Sequence, residues 1–257
     1  MSCNLQGIGV LVTRPDGQAK ALCDLITKHG GKPIHFPVIT INPPDDKAAA
    51  KLILNEMGRY DVVIFISPNS VRYSLDLISG DTLPANLLIC AVGKGTARVL
   101  EESGIKVDVS PEGPFDSESL LAMPELSQVA AKSILIVRGN GGRGLLGDTL
   151  RKRGAVVDYV EVYSRKISSQ NPDPLITEWD RGVNIVTVTS CGILDNLFTL
   201  LGDAGRAKLC STPLIVVSQR IKSRAQEYGC NTIVLASEAS DQGLLSAICE
   251  WRAITSR

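Results

Sequence analysis

The sequence predicts an α/β protein in which one parallel-sheet module is used twice. Three observations carry this. Short Val- and Ile-rich runs alternate with helix-like segments, the segments recur in one order in the two halves, and a length of 257 residues suits two domains better than one.

The runs are, in order, "IGVLVT", "DVVIFIS", "LLICAVG", "SILIVR", "VNIVTVTS" and "PLIVVS". Continuous apolar strands separated by helical stretches are the βα alternation of a parallel sheet covered on both faces. Self-comparison identifies the repeat. "LVTRPDGQAKALCDLITKHGGKPIHFPVI" lies over "LIVRGNGGRGLLGDTLRKRGAVVDYVEVY" without a gap, pairing Leu11 with Leu135, Arg14 with Arg138, Gly17 with Gly141, Asp24 with Asp148 and Gly30 with Gly154. "DVVIFISPNSVRYSLDLI" lies over "VNIVTVTSCGILDNLFTLL", pairing Ser67 with Ser190. "LICAVGKGTARVLEESG" lies over "LIVVSQRIKSRAQEYG", pairing Gly104 with Gly229 and running on to Asp116 and Asp241. The offset is nearly constant, so the chain reads as an internal duplication.

One stretch offers a competing reading. "ILIVRGNGGRGLLGDTL" spaces Gly139, Gly141 and Gly144 as G-x-G-x-x-G between a strand and a helix, the pattern of a dinucleotide-binding turn. The equivalent turn of the first copy, "TRPDGQAKAL", keeps the arginine and lacks two of the three glycines. Asp158 and Glu161 lie inside the next strand, where a ribose-binding acid is wanted just past its end. The glycines therefore read as a tight βα turn with close helix packing, and no cofactor is expected.

Composition narrows the function further. Lys plus Arg (27) balance Asp plus Glu (27), which gives no overall field for nucleic acid or an anionic membrane. Aromatics are 4%, too few for base-stacking platforms. The opening "MSCNLQGIGVLVTR" shows no basic leader before an apolar stretch and no segment is apolar enough to span a bilayer, so a soluble, cytoplasmic protein is expected. The cysteines, at 3, 23, 90, 191, 210, 230 and 249, are odd in number and lack C-x-x-C spacing, which suits reduced thiols rather than disulfides or zinc. His29 and His35 have no third ligand nearby, so no metal is expected.

"VLVTRP" near the start, "FISPNSVR", "AVGKGTA", "ILIVRGNGGR" and "VEVYSR", in that order and spacing, resemble the uroporphyrinogen-III synthase family across nearly the whole chain. The resemblance implies two flavodoxin-like parallel-sheet domains joined by a two-stranded linker, the first discontinuous. Its parts are about 1–37 with about 166–257, and about 38–165 forms the second domain. The hinge strands fall at about 36–41 ("FPVITI") and about 160–165 ("VEVYSR"), both β-branched. The implied activity is lyase-type, cofactor-free closure and dehydration of hydroxymethylbilane, a linear tetrapyrrole with eight carboxylates, with inversion of the last ring through a spiro intermediate. A monomer is implied as well.

Such chemistry needs a donor that helps hydroxide leave and a mould for a flexible polyanion. Tyr163 matches the linker tyrosine of the family's pattern and is the candidate donor; packing one domain on the other is its alternative role. The mould is expected in the loops beyond the strand carboxyl ends, where helix N-termini favour negative charge. Candidates are Ser67, Asn69 and Ser70 in "SPNS"; Gly93, Lys94 and Thr96 in "VGKGT"; Ser190 and Gly192 in "TSCG"; Gly139 in the glycine turn; and Ser218, a substitute in the "SQRIKS" turn, where Arg220 and Ile221 replace the glycine-threonine character of relatives. Arg14 and Arg138, at equivalent strand ends, can each grip a carboxylate with two hydrogen bonds. Helix capping by the serines and salt bridges from the arginines to neighbouring elements remain open alternatives. A two-lobed binding or sensor protein without catalysis is the rival function.

Overall fold

A computed structural model describes residues 3–78, 84, 86–113, 116–142 and 144–255. In chain order it shows β1 (Gly9–Val12), α1 (Lys20–Lys28), β2 (Lys32–His35), β3 (Ile39–Asn42), α2 (Lys47–Asn55), β4 (Val62–Phe65), α3 (Pro68–Leu75), β5 (Leu88–Ala91), α4 (Lys94–Glu102) and α5 (Ser117–Leu121). These are followed by β6 (Ser133–Gly139), α6 (Leu145–Lys152), β7 (Val156–Ile167), α7 (Asp173–Gly182), β8 (Ile185–Val188), α8 (Cys191–Ser211), β9 (Leu214–Val216), α9 (Gln219–Glu227), β10 (Ile233–Leu235) and α10 (Asp241–Thr255). The chain divides into two compact units, one of residues 1–41 with 166–257 and one of residues 42–165.

The sheet of the first unit has the order β10-β9-β8-β1-β2, and all its pairings are parallel. Every residue of β1, β8 and β9 is buried, as a strand covered on both faces requires. Side chains alternate between two cores. Leu11, Val186, Val188 and Leu214 join Trp179 of α7, Leu197 and Phe198 of α8 and Ile221 of α9. Val10, Val12, Ile185 and Ile215 join Leu22 and Ile26 of α1 and Leu244 and Ile248 of α10. The Trp179 indole donates to Thr212 Oγ1 at 2.9 Å, which satisfies the one polar atom it brings inside.

The sheet of the second unit has the order β3-β7-β6-β4-β5, with Val109 bridging Cys90 of β5 in parallel. Val62, Ile64, Ile134 and Ile136 pack with Leu120 of α5 and Leu146 and Leu150 of α6. Val63, Phe65, Leu135 and Val137 alternate with them and are also buried.

The duplication is visible in the strand order. Placing β9 on β5, β8 on β4, β1 on β6 and β2 on β7 superposes neighbour on neighbour, and the Val109 bridge takes the place of β10. In the first unit the strands run 2-1-3-4-5 across the sheet, the flavodoxin-like order; the second unit is a circular permutation of it with β3 added beyond β7.

The expectation of reduced cysteines is corrected at two positions. Cys3 and Cys249 form a disulfide, with Cα atoms 5.5 Å apart across a sequence separation of 246. Spacing along the chain gave no sign of it because the pairing is tertiary: α10 packs on α1, and residues near the two ends of the first unit's chain meet there. Cys23, Cys90, Cys191, Cys210 and Cys230 are free thiols. Among the described residues no helix is long and apolar enough to cross a membrane, and no three His, Cys, Asp or Glu side chains converge on a point that could hold a metal ion.

Candidate functional site

In sheets of this order, ligands bind beyond the strand carboxyl ends at the switch point, where successive connections leave on opposite faces. In the first unit that point lies between β1 and β8, and the loops there carry Arg14 and Ser190. In the second unit it lies between β6 and β4, with Arg138 at the carboxyl end of β6 and Ser67 in the loop after β4.

In the first unit the candidates mostly engage their own scaffold. Arg14 Nη1 donates to Asp241 Oδ1 in the first turn of α10, and its side chain is 16% exposed. Its backbone oxygen lies 2.9 Å from His35 Nε2. Ser190 and Ser218 are extended N-cap residues whose hydroxyls accept from Ile193 N at 3.1 Å and Ile221 N at 3.4 Å. A Cβ at Gly192 would meet nothing within 4 Å, so that turn is open.

The second unit brings its candidates closer together. Ser67 caps α3 in a reciprocal box: its hydroxyl accepts from Ser70 N at 3.1 Å, and Ser70 Oγ accepts from Ser67 N at 3.1 Å and donates to Ser67 O at 2.7 Å. Ser70 is buried with its hydroxyl bound in the cap, whereas Asn69 is partly exposed. Gly93 starts α4, Lys94 is exposed, and Thr96 is buried in the first turn. A Cβ on Gly95 would lie 3.6 Å from Pro68 Cγ, so the N-termini of α3 and α4 are neighbours.

Arg138 is bound within its own turn. Nε donates to Gly139 O at 3.2 Å, Nη2 donates to Gly141 O, Glu161 Oε1 is 3.8 Å away, and the guanidinium lies 4.9 Å from the Tyr159 ring centre. The glycines have local uses. Gly141, at φ 68°, takes the left-handed conformation that folds the turn. A Cβ at Gly139 would stand 2.4 Å from the ring of Tyr163, so the missing side chain is what admits the tyrosine.

Tyr163 is fully buried, and its setting is built by the strand. β6 and β7 pair residue for residue up to Arg138 opposite Glu161. There the register slips and Gly139 faces Tyr163. A bulge of this kind re-aims a side chain, here laying the ring against the glycine. Asn140 fixes the position by donating its N–H to Tyr163 O at 3.0 Å and accepting from Arg165 N at 2.7 Å. The Tyr73 ring lies 5.8 Å away, centre to centre.

Among the described residues, two side chains meet the phenol oxygen. Ser67 Oγ is 3.2 Å from it, and Arg165 Nη2 donates to it at 2.6 Å with the guanidinium 5.2 Å from the ring centre. Arg165 is itself exposed, so a cation on a long, flexible stem lies between the buried hydroxyl and solvent. A cavity of about 240 Å3 also touches Tyr163, but Asp46 and Glu161 line it, and their charge repels a carboxylate. The arginine side is the one suited to an anion.

Comparison with known proteins decides the kinship. Residues 20–246 match the family model described as Uroporphyrinogen-III synthase HemD. This chain belongs to the uroporphyrinogen-III synthase family. The uroporphyrinogen-III synthase of Escherichia coli strain K12 is 33% identical over 246 residues, covering 94% of this chain and 100% of that protein. Its counterpart in Salmonella typhimurium strain LT2 is 32% identical over 249 residues, covering 94% and 100%. A crystal structure of a mutant uroporphyrinogen III synthase from the extremely thermophilic bacterium Thermus thermophilus aligns with a TM-score of 0.62 at 20% identity, covering 97% of this chain and 100% of that one, and so shares the fold.

Within this synthase family member, Arg165 is the residue that reading the sequence overlooked. The signal was present: in a strand, residues two apart share a face, so Tyr163 and Arg165 in "VEVYSR" had to project together.

Proposed function

We propose that this chain closes hydroxymethylbilane to uroporphyrinogen III with loss of water, and that Tyr163 is its proton-donating group. Family membership across residues 20–246 supports the reaction. The observation that carries the residue assignment is the phenol oxygen of Tyr163 at the second unit's switch point, 2.6 Å from Arg165 Nη2.

Tyr163 O–H donates to the terminal hydroxyl as that group departs, leaving an azafulvene cation on the substrate. The substituted carbon of the last ring attacks this cation to form the spiro intermediate. Its fragmentation and recombination invert the ring, and loss of a proton restores the macrocycle. The guanidinium of Arg165 stabilises negative charge that develops on the phenol oxygen as its proton is shared. No step asks for a metal, a nucleotide or a covalent nucleophile.

A substrate carboxylate pairs with the solvent-facing side of the Arg165 guanidinium, which keeps its hydrogen bond to the phenol oxygen and leaves the phenol proton for the substrate. The N-termini of α3 and α4 supply backbone N–H groups for other carboxylates, with Ser67, Asn69, Gly93 and Lys94 around them. Arg14 serves the first unit only if a ligand carboxylate shares its guanidinium with Asp241. Arg138 and Gly139 act through the turn, by holding its carbonyls and by admitting Tyr163. The chain works as a monomer in the cytoplasm, and its balanced charge suits a small-molecule substrate better than nucleic acid.

The test is the isomer formed. Freshly prepared hydroxymethylbilane, incubated with the protein, oxidised and separated by chromatography, is expected to give mostly isomer III. Mostly the symmetric isomer I, as in water alone, would leave a binding protein as the better description.

A further inference from the structure

The Cys3–Cys249 disulfide lies outside the region assigned to ring closure. It joins the segment leading into β1 to α10 within the first unit, whose chain comes from both ends of the sequence. Both cysteines are partly exposed. They line a cavity of about 740 Å3 with Asn4, His29, Gln242 and Glu250. That volume accommodates a small peptide-sized molecule, and its wall mixes apolar surface with hydrogen-bonding side chains.

Three of the other cysteines are poorer sites for exchange. Cys90 and Cys230 are buried, and burial pushes each thiol up to about 12, where little thiolate exists near neutral pH. Burial raises Cys23 as well.

We propose that Cys3 and Cys249 form a reversible thiol–disulfide exchange site, entered through this cavity by a small peptide-like thiol, whose redox state sets the stability of the first unit. In the reductive direction a thiolate attacks one of the two sulfurs. A bond to that sulfur forms, the Cys3–Cys249 bond breaks, and the other cysteine leaves as thiolate. A second thiol attacks the mixed disulfide, releasing the small disulfide and the second protein thiol. Two electrons pass from two small thiols to the protein. In a reducing compartment the pair rests as a dithiol, and oxidation links it. Linked, it closes a loop over almost the whole chain and restricts the unfolded ensemble.

The test uses the wild-type chain equilibrated in buffers of graded reduced-to-oxidised glutathione ratio, quenched in acid, alkylated and peptide-mapped by mass spectrometry. The expected result is a Cys3–Cys249 cross-linked peptide that grows with the oxidised fraction and disappears in reduced buffer while far-ultraviolet dichroism stays native. The melting temperature is expected to be about 5 °C or more higher for the linked form. Cys249→Ser should accumulate glutathione on Cys3, and Cys3→Ser on Cys249. Three results would each overturn the proposal: no cross-link at any ratio, a link reduced only after the chain is unfolded in urea, or equal melting temperatures for linked and reduced protein. Because no assay of ring closure enters, this outcome is independent of the function proposed above.

Discussion

Tyr163→Phe is expected to lower kcat by about 100-fold, the usual contribution of a positioned proton donor, with KM nearly unchanged. The two parameters separate because the lost group meets the departing hydroxyl, whereas carboxylates elsewhere on the substrate carry the binding. The substitution removes one oxygen and leaves the ring against Gly139. Arg165 is exposed and turns to water when its acceptor is lost, and Ser67 Oγ keeps Ser70 N. The stability cost is therefore about 1 kcal/mol or less, and thermal melting beside single-turnover kinetics distinguishes a chemical defect from a folding one. Wild-type turnover in this variant would remove the phenol from the reaction.

Gly139→Ala is expected to damage stability and turnover together. Its Cβ would lie 2.4 Å from two ring atoms of Tyr163, a fully buried side chain held by the β6–β7 register and by Asn140. The ring must swing out or the strands must part. Overpacking of this kind costs about 2–3 kcal/mol, which in a protein of this size lowers the melting temperature by about 5 °C or more. Turnover falls as well, because the phenol leaves Ser67 and Arg165. In a Tyr163→Leu background, with no ring to collide with, the stability penalty of Gly139→Ala is expected to shrink. A penalty that is the same in both backgrounds would show that this glycine serves some other contact. Gly192→Ala is the matched control for stability: its Cβ meets nothing within 4 Å, and the melting temperature should hardly move.

Much of the fold was legible because the repeat and the strand pattern are local properties of sequence. Arg14 and Arg138 do end equivalent strands, and Ser67 and Ser190 do begin equivalent helices beside the two switch points. Even the isolated Val109 bridge has its counterpart in Val234 of β10. The partners of polar side chains were harder to read. The guanidinium of Arg14 is held by Asp241, a contact between residues 227 apart in sequence, and that of Arg138 by carbonyls of its own turn. From the strand ends alone, a grip on a ligand carboxylate and a salt bridge to a neighbouring element were both open for each head.

The same limit applied to Gly139, whose spacing resembled a phosphate-binding turn although its neighbour is an aromatic ring. The Cys3–Cys249 pair was hidden for a related reason, since only helix packing brings those two positions together. Arg165 is different: strand alternation alone placed it on the face of Tyr163, and its significance became clear once the bulge had aimed the ring.

The most direct measurement is a double-mutant cycle on kcat for hydroxymethylbilane closure, using Tyr163→Phe, Arg165→Met and the combination, with Arg165→Lys to restore the charge. If the guanidinium acts through the phenol oxygen, Arg165→Met slows the wild-type chain, Arg165→Lys recovers part of the loss, and Arg165→Met changes little once Tyr163 is Phe. Effects that multiply independently in the double variant would contradict a shared reactive centre where β7 passes the carboxyl ends of β4 and β6.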